Sequence, residues 1–188
     1  RYNLAVPKPY NFFISNDKLK KEWKSRFNKA RKIQIGIMWQ GDSVFNRSDH
    51  KRSIALTKLK PLFELEDIEF ISLQKDEGRD QIKLNSYENL ITDFFGKIDI
   101  VPFEDTLAIV DNLNMIISVD TSIAHIAATL EKETWVMLPY VPDFRWELNN
   151  TKTIWYDSVR LFRQKKINQW GEIIDTIKES LKRKFNIS

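Results

Sequence analysis

The sequence predicts an α/β fold in which a parallel sheet is covered by helices on both faces. Three observations carry that expectation. Short apolar runs rich in β-branched residues alternate with segments whose apolar residues recur at helical spacing, the pattern of parallel strands joined by helical crossovers. The runs close on polar residues, as at Gln40-Gly41-Asp42 and Gln74-Lys75, of the kind that line the carboxyl edge of such a sheet. Finally, Met115–Pro139 (MIISVDTSIAHIAATLEKETWVMLP) contains a whole unit: strand, sharp turn, helix, turn and strand.

Taken in order, residues 1–15 read as an extended lead-in, with Pro7 and Pro9 beside the aromatic Tyr10, Phe12 and Phe13. Residues 16–188 read as a single domain. Ser15-Asn16-Asp17 is suited to start a helix, and Leu19, Trp23 and Phe27 share one face of it before a basic end at Lys29–Lys32. Ile33–Trp39 is the first strand, with Gly36 at a position where a larger side chain does not fit. Ser43–Ser53 is polar, basic and aperiodic, hence a surface loop. Leu56–Leu65 is helical in spacing and leads to the strand Ile68–Leu73. Tyr87–Phe95 has helical spacing, Ile98–Val101 reads as a short strand, and Asp105 as the cap of a helix through Leu113. Beyond Pro139 come an aromatic and proline-rich loop, a strand near Val159–Phe162 and an amphipathic helix from Asn168 to about Phe185.

Composition narrows the function classes. With no cysteine, the chain has no thiolate zinc site, iron–sulfur cluster, cysteine nucleophile or disulfide, and a reducing cytoplasm is compatible with it. Its 30 basic and 26 acidic residues are intermixed, so charge does not point to nucleic acid. No run approaches the roughly 20 apolar residues of a membrane span. Because it opens on Arg1, the sequence reads as a piece of a longer protein.

The chemistry concentrates after Met115–Val119. Asp120-Thr121-Ser122 falls at the start of a helix, where unpaired backbone N–H groups and the positive end of the helix dipole suit a phosphate. His125 lies one turn in, and its side chain leans back toward the same end. Asp120-Thr121-Ser122 also fits a plain helix cap, and His125 a hydrogen-bonded interior histidine. There is no G-x-G-x-x-G after a strand, P-loop, H-E-x-x-H, G-x-S-x-G or Asp-x-Asp pair, which leaves metal-free phosphate binding by a helix end as the simplest chemistry.

The segment Val119–His125 (VDTSIAH) resembles the Asp-Thr-x-x-x-His segment of heptosyltransferase-like glycosyltransferases, specifically bacterial proteins in which this domain follows tetratricopeptide repeats. Gly36–Gly41 (GIMWQG), Arg52–Leu56 (RSIAL), Ile71–Lys75 (ISLQK), Leu138–Trp146 (LPYVPDFRW) and Trp155–Gln164 (WYDSVRLFRQ) are similar too, so the resemblance runs from about Pro9 to the end. It implies the Rossmann-like C-terminal, donor-binding half of a GT-B transferase, metal-independent and inverting, using a nucleoside-diphosphate sugar as donor substrate with no other cofactor. Carried over by residue, Asp120, Thr121, Ser122 and His125 meet the diphosphate, His125 stabilising the leaving group. Trp39, Gln40, Ser72 and Gln74 become nucleoside or sugar contacts, and Arg52 a phosphate or sugar ligand. Packing in the core is the other expectation for Trp39, and a structural loop for Phe144, Arg145 and Trp146. Ser122 departs from the family, where glycine commonly follows the Asp-Thr pair.

The partners implied are the nucleotide sugar, an N-terminal half carrying the acceptor contacts and usually the base, and tetratricopeptide repeats in the same chain, with no nucleic acid and no membrane span. Localisation is then cytoplasmic, the inner face of the membrane included. A non-catalytic interaction module, or a nucleotide sensor attached to a repeat protein, is the alternative expectation.

Overall fold

The computed structural model describes residues 13–27, 33–42, 52–97, 102–148 and 150–187. Among these, the strands are β1 (Ile33–Met38), β2 (Ile68–Ser72), β3 (Ile91–Thr92), β4 (Met115–Val119), β5 (Thr134–Leu138) and β6 (Val159–Arg163). They form one sheet in the order β3-β2-β1-β4-β5-β6, parallel at every pairing. The helices are α1 (Asp17–Lys24), α2 (Lys60–Phe63), α3 (Gln81–Leu84), α4 (Phe103–Asn112), α5 (Ser122–Thr129) and α6 (Gly171–Phe185). This is a Rossmann-like α/β fold: the chain winds outward from β1 to β3, returns to the centre, and winds outward again from β4 to β6. The reversal falls between β1 and β4, which pair from Ile35↔Met115 to Met38↔Ser118.

Burial explains why the strands are apolar throughout. Each residue of β2, β4 and β5 is buried, because helices cover both faces. On one face Ile35, Ile37, Phe70, Met115 and Ile117 pack with Leu62 and Phe63 of α2 and Ile174, Ile177 and Leu181 of α6. On the other, Ile71, Leu73 and Ile116 meet Trp23 of α1, Leu107 and Val110 of α4 and Ile123 of α5. Gly36 points to this second face. A Cβ there would lie 2.6 Å from both Leu113 Cδ1 and Leu73 Cδ1, so glycine is what lets the end of α4 approach β1.

Several boundaries differ from those the sequence suggests. Asn16 caps α1 as expected, its side chain accepting from the backbone N–H groups of Lys18 and Leu19, but the helix closes at Lys24. The basic run at Lys29–Lys32 and the strand at Ile98–Val101 lie outside the described residues. So do residues 1–12 of the lead-in and residues 43–51 of the basic loop. Tyr87–Phe95 is not a helix. Ser86, just before it, takes the left-handed conformation at φ 57°. Ile91 and Thr92 instead pair with Phe70 and Ile71, since the sheet edge offers backbone partners as well as burial.

Helix α4 begins two residues before Asp105, with Pro102 at the cap position. Asp105 instead accepts the indole N–H of Trp23, tying α4 to α1. At the C-terminal end, Asn168 takes φ 62° and belongs to the turn before α6, not to the helix.

Candidate functional site

At the carboxyl ends of β1 and β4, where the strand order reverses, lies a cleft of about 540 Å³. Open parallel sheets split apart at this point because successive crossovers leave toward opposite faces. Gln40, Gly41, Asp42 and Arg52 reach the cleft from beyond β1, and Gln74, Lys75, Asp76 and Glu77 from beyond β2. Across from them stand Asp120, Thr121, Ser122 and His125, with Arg145 from the loop that follows β5.

The β4–α5 turn brings Thr121 and Ser122 to the cleft. Thr121 is extended (φ −139°, ψ 171°) at the cap position of α5, yet its side chain makes no capping hydrogen bond. Its hydroxyl is turned inward, 3.0 Å from Ser118 Oγ and 3.3 Å from Met38 Sδ, which pins the turn to the end of β1. The start of α5 therefore faces the cleft without a side-chain cap, with exposed Ser122 at its lip.

Three charged groups surround this helix end. Asp120 is buried, its carboxylate 3.9 Å from His125 Nε2 and 3.8 Å from an Arg145 Nη. Arg145 is held by Asp143, which accepts from the Arg145 backbone N–H at 3.0 Å and from its Nε at 2.8 Å. Burial alone would raise the Asp143 carboxyl, but those two hydrogen bonds and the guanidinium charge hold it below the usual carboxylate range. His125 is pushed below its ordinary value, first by burial and then by the Arg145 cation, against the opposing pull of Asp120 and Asp143. It is thus neutral at neutral pH.

The imidazole is fixed from two further sides. It stacks on Trp146 with ring centroids 5.2 Å apart and planes 20° apart, and its Nδ1 lies 3.0 Å from the hydroxyl of Tyr156. Nε2 is buried with no hydrogen-bond partner. On the other wall, burial lowers the Lys75 ammonium, partly offset by Asp76 and Asp105.

Seven of the nine residues expected from the sequence line the cleft: Asp120, Thr121, Ser122, His125, Gln40, Arg52 and Gln74. Trp39 and Ser72 do not. Both are fully buried; the Trp39 indole N–H donates to Gly78 O at 3.2 Å, and Ser72 Oγ accepts from Gln74 N at 3.2 Å. They support the floor from below. Gln74 lines the cleft, but its amide is spent on the loops. Its Nε2 donates to Gln40 O and Glu77 O, at 3.0 and 2.7 Å, and its Oε1 accepts from Gln40 N at 3.1 Å. Gln40 in turn accepts from Gln81 Nε2 at 2.9 Å.

The sequence suggests a structural loop for Arg145, whereas its side chain lines the cleft beside Asp120. The available signal was its position just after β5, the strand next to β4. Nothing in the sequence marks Tyr156 or Trp146 as supports of His125, because both contacts span more than one element. Among the described residues no group of three or more His, Asp or Glu side chains is placed to hold a metal ion. No helix among them is long and apolar enough to cross a membrane. Compared with protein-family models and with curated proteins, the chain matches none.

Proposed function

We propose that the chain is the donor-binding domain of a metal-independent inverting glycosyltransferase that uses a nucleoside-diphosphate sugar. The observation that carries this reading is the convergence of an uncapped helix start, His125 and Arg145 at the point where the sheet order reverses. An anion seated there gains charge-assisted hydrogen bonds of about 1.5–3 kcal/mol each, and up to about 2 kcal/mol from the helix end. The Asp120 carboxylate repels phosphate and is suited instead to hold Arg145 or to accept from a hydroxyl. Asp42, Asp76 and Glu77 come from the β1 and β2 side. With Arg52 and Lys75 on that side as well, both walls of the cleft combine cations with carboxylates, which suits the phosphates and the hydroxyls of a sugar nucleotide.

In the transfer step, negative charge grows on the departing diphosphate as its bond to the sugar breaks. Groups already aimed at that charge lower the barrier without reorganising. On this reading those groups are the backbone N–H of Thr121 and Ser122, His125 and Arg145, residues that line the cleft. Half of the catalytic centre, including the base, belongs on this reading to an N-terminal GT-B half of the same protein. The test is calorimetric titration with UDP, GDP and ADP, in a protein containing both halves. Binding of one of them, lost on His125→Ala, supports the reading, and binding of none refutes it.

A second reading is a nucleotide sensor or an interaction module without turnover. Exposed apolar side chains on the loop that supplies Arg145, with Phe144 84% and Val141 69% exposed, favour it. Nucleotide binding without sugar transfer by the longer protein separates a sensor from the transferase.

A further inference from the structure

We infer that Tyr156 sets the tautomer of His125, so that the imidazole offers an N–H to the cleft and not a lone pair. The neutral ring has one proton to place. Its Nδ1 faces the Tyr156 hydroxyl at 3.0 Å, while Nε2 faces Asp120 Oδ1 at 3.9 Å. A lone pair aimed at a carboxylate is repelled and an N–H is attracted, which favours the proton on Nε2. The same arrangement suits the phenol. Its O–H is a good donor and an imidazole nitrogen a good acceptor, so Tyr156 donates and Nδ1 accepts. Burial raises the Tyr156 hydroxyl above its ordinary value, against the Arg145 charge, so the donor proton is retained. Turning the ring over would exchange Nδ1 for a carbon and forfeit this bond.

Nε2 has no hydrogen-bond partner although it is buried, so its N–H is free for whatever occupies the cleft. Resting on the donor-site reading, this makes His125 a neutral hydrogen-bond donor to a phosphate oxygen, and Tyr156 a positioning residue that never touches the substrate. It also means that neutral His125 has no lone pair toward the cleft with which to take a proton.

Long-range ¹⁵N–¹H correlation spectra of the labelled chain near pH 7.5 test this directly. His50 and His125 are the two histidines, and His125→Gln assigns them. For His125 we expect a pyrrole-type shift at Nε2 and a pyridine-type shift at Nδ1. In Tyr156→Phe, which keeps the ring, the two shifts should move toward each other. Fluorotyrosine in the wild-type chain, a stronger donor, should move Nδ1 without any substitution of Tyr156. A protonated Nδ1 in the wild type overturns the inference, as do shifts indifferent to both changes. Titration with UDP, GDP and ADP is a separate arm: failure to bind refutes the donor site and leaves the tautomer standing, and the reverse outcome leaves the donor site standing.

Discussion

The imidazole of His125 lies on the indole of Trp146, with centroids 5.2 Å apart and planes inclined by 20°. Trp146 is itself fully buried, against Ala124 and Ala128 of α5 and Val136 and Leu138 of β5. One side chain thus joins the core to the cleft. Trp146→Ala should cost about 3–5 kcal/mol in denaturant unfolding, the range for removing a buried aromatic. Trp146→Phe should cost clearly less, because the indole N–H has no partner to lose and a ring still lies beneath the imidazole.

Protonation of His125 gives a pH dependence whose sign follows from the direction of its shift. Burial and Arg145 hold the folded-state value below the ordinary 6.5, so the unfolded chain binds the proton more readily. Stability is therefore full above about 6.5 and falls as pH drops from there through the folded-state value. The contribution is read as the difference between the wild type and His125→Gln in thermal unfolding from pH 7.5 to 5. The wild type should lose more.

How much of this was legible in the sequence depended on where the deciding contacts lie. β4 and α5 could be read locally: five apolar residues, then Asp-Thr-Ser, then apolar residues at helical spacing. Tyr87–Phe95 could not. Its apolar residues have helical spacing, but Tyr87 packs edge-on against Phe63 while Phe94 stacks on Phe27, and Thr92 Oγ1 donates to Glu69. Contacts with distant segments on opposite faces of the sheet override the local period. The same limit hid the roles of Gln74 and Tyr156. A polar residue after a strand reads as a ligand whether its amide is free or spent on neighbouring loops.

Because its amide bridges the loops after β1 and β2, Gln74 should prove a structural residue. Gln74→Ala removes two donated bonds and one accepted bond at a site 3% exposed. At about 0.5–1.5 kcal/mol for each, the loss is about 1.5–4.5 kcal/mol. Gln74→Glu should be worse at neutral pH, since a carboxylate cannot donate to the carbonyls of Gln40 and Glu77. Chemical denaturation of the two variants, ranked against each other, checks this; equal stability of Gln74→Ala and wild type would exclude the bridging role.

Gly36→Ala places a methyl group where Leu73 and Leu113 already meet. Both contacts would be 2.6 Å, which side-chain movement must relieve. Overpacking of this kind costs about 1–3 kcal/mol. Leu113→Ala opens space at the same point, so the double variant should lose less stability than the two single losses combined. Additive losses would show that the methyl group is accommodated elsewhere.

Arg145 and Asp143 separate charge from position. Arg145→Ala removes the guanidinium that reaches toward Asp120, and with it a charge-assisted contact to any bound diphosphate. At the low end of about 1.5–3 kcal/mol, because the side chain is partly solvated, affinity for UDP, GDP or ADP should fall about tenfold. Asp143→Asn keeps an oxygen to accept the Arg145 backbone N–H but removes the carboxylate competing for the guanidinium. Affinity should then rise, and the rise should shrink with added salt as screening weakens both effects. If Asp143→Asn instead weakens binding as much as Arg145→Ala does, the carboxylate positions the arginine more than it competes with the ligand.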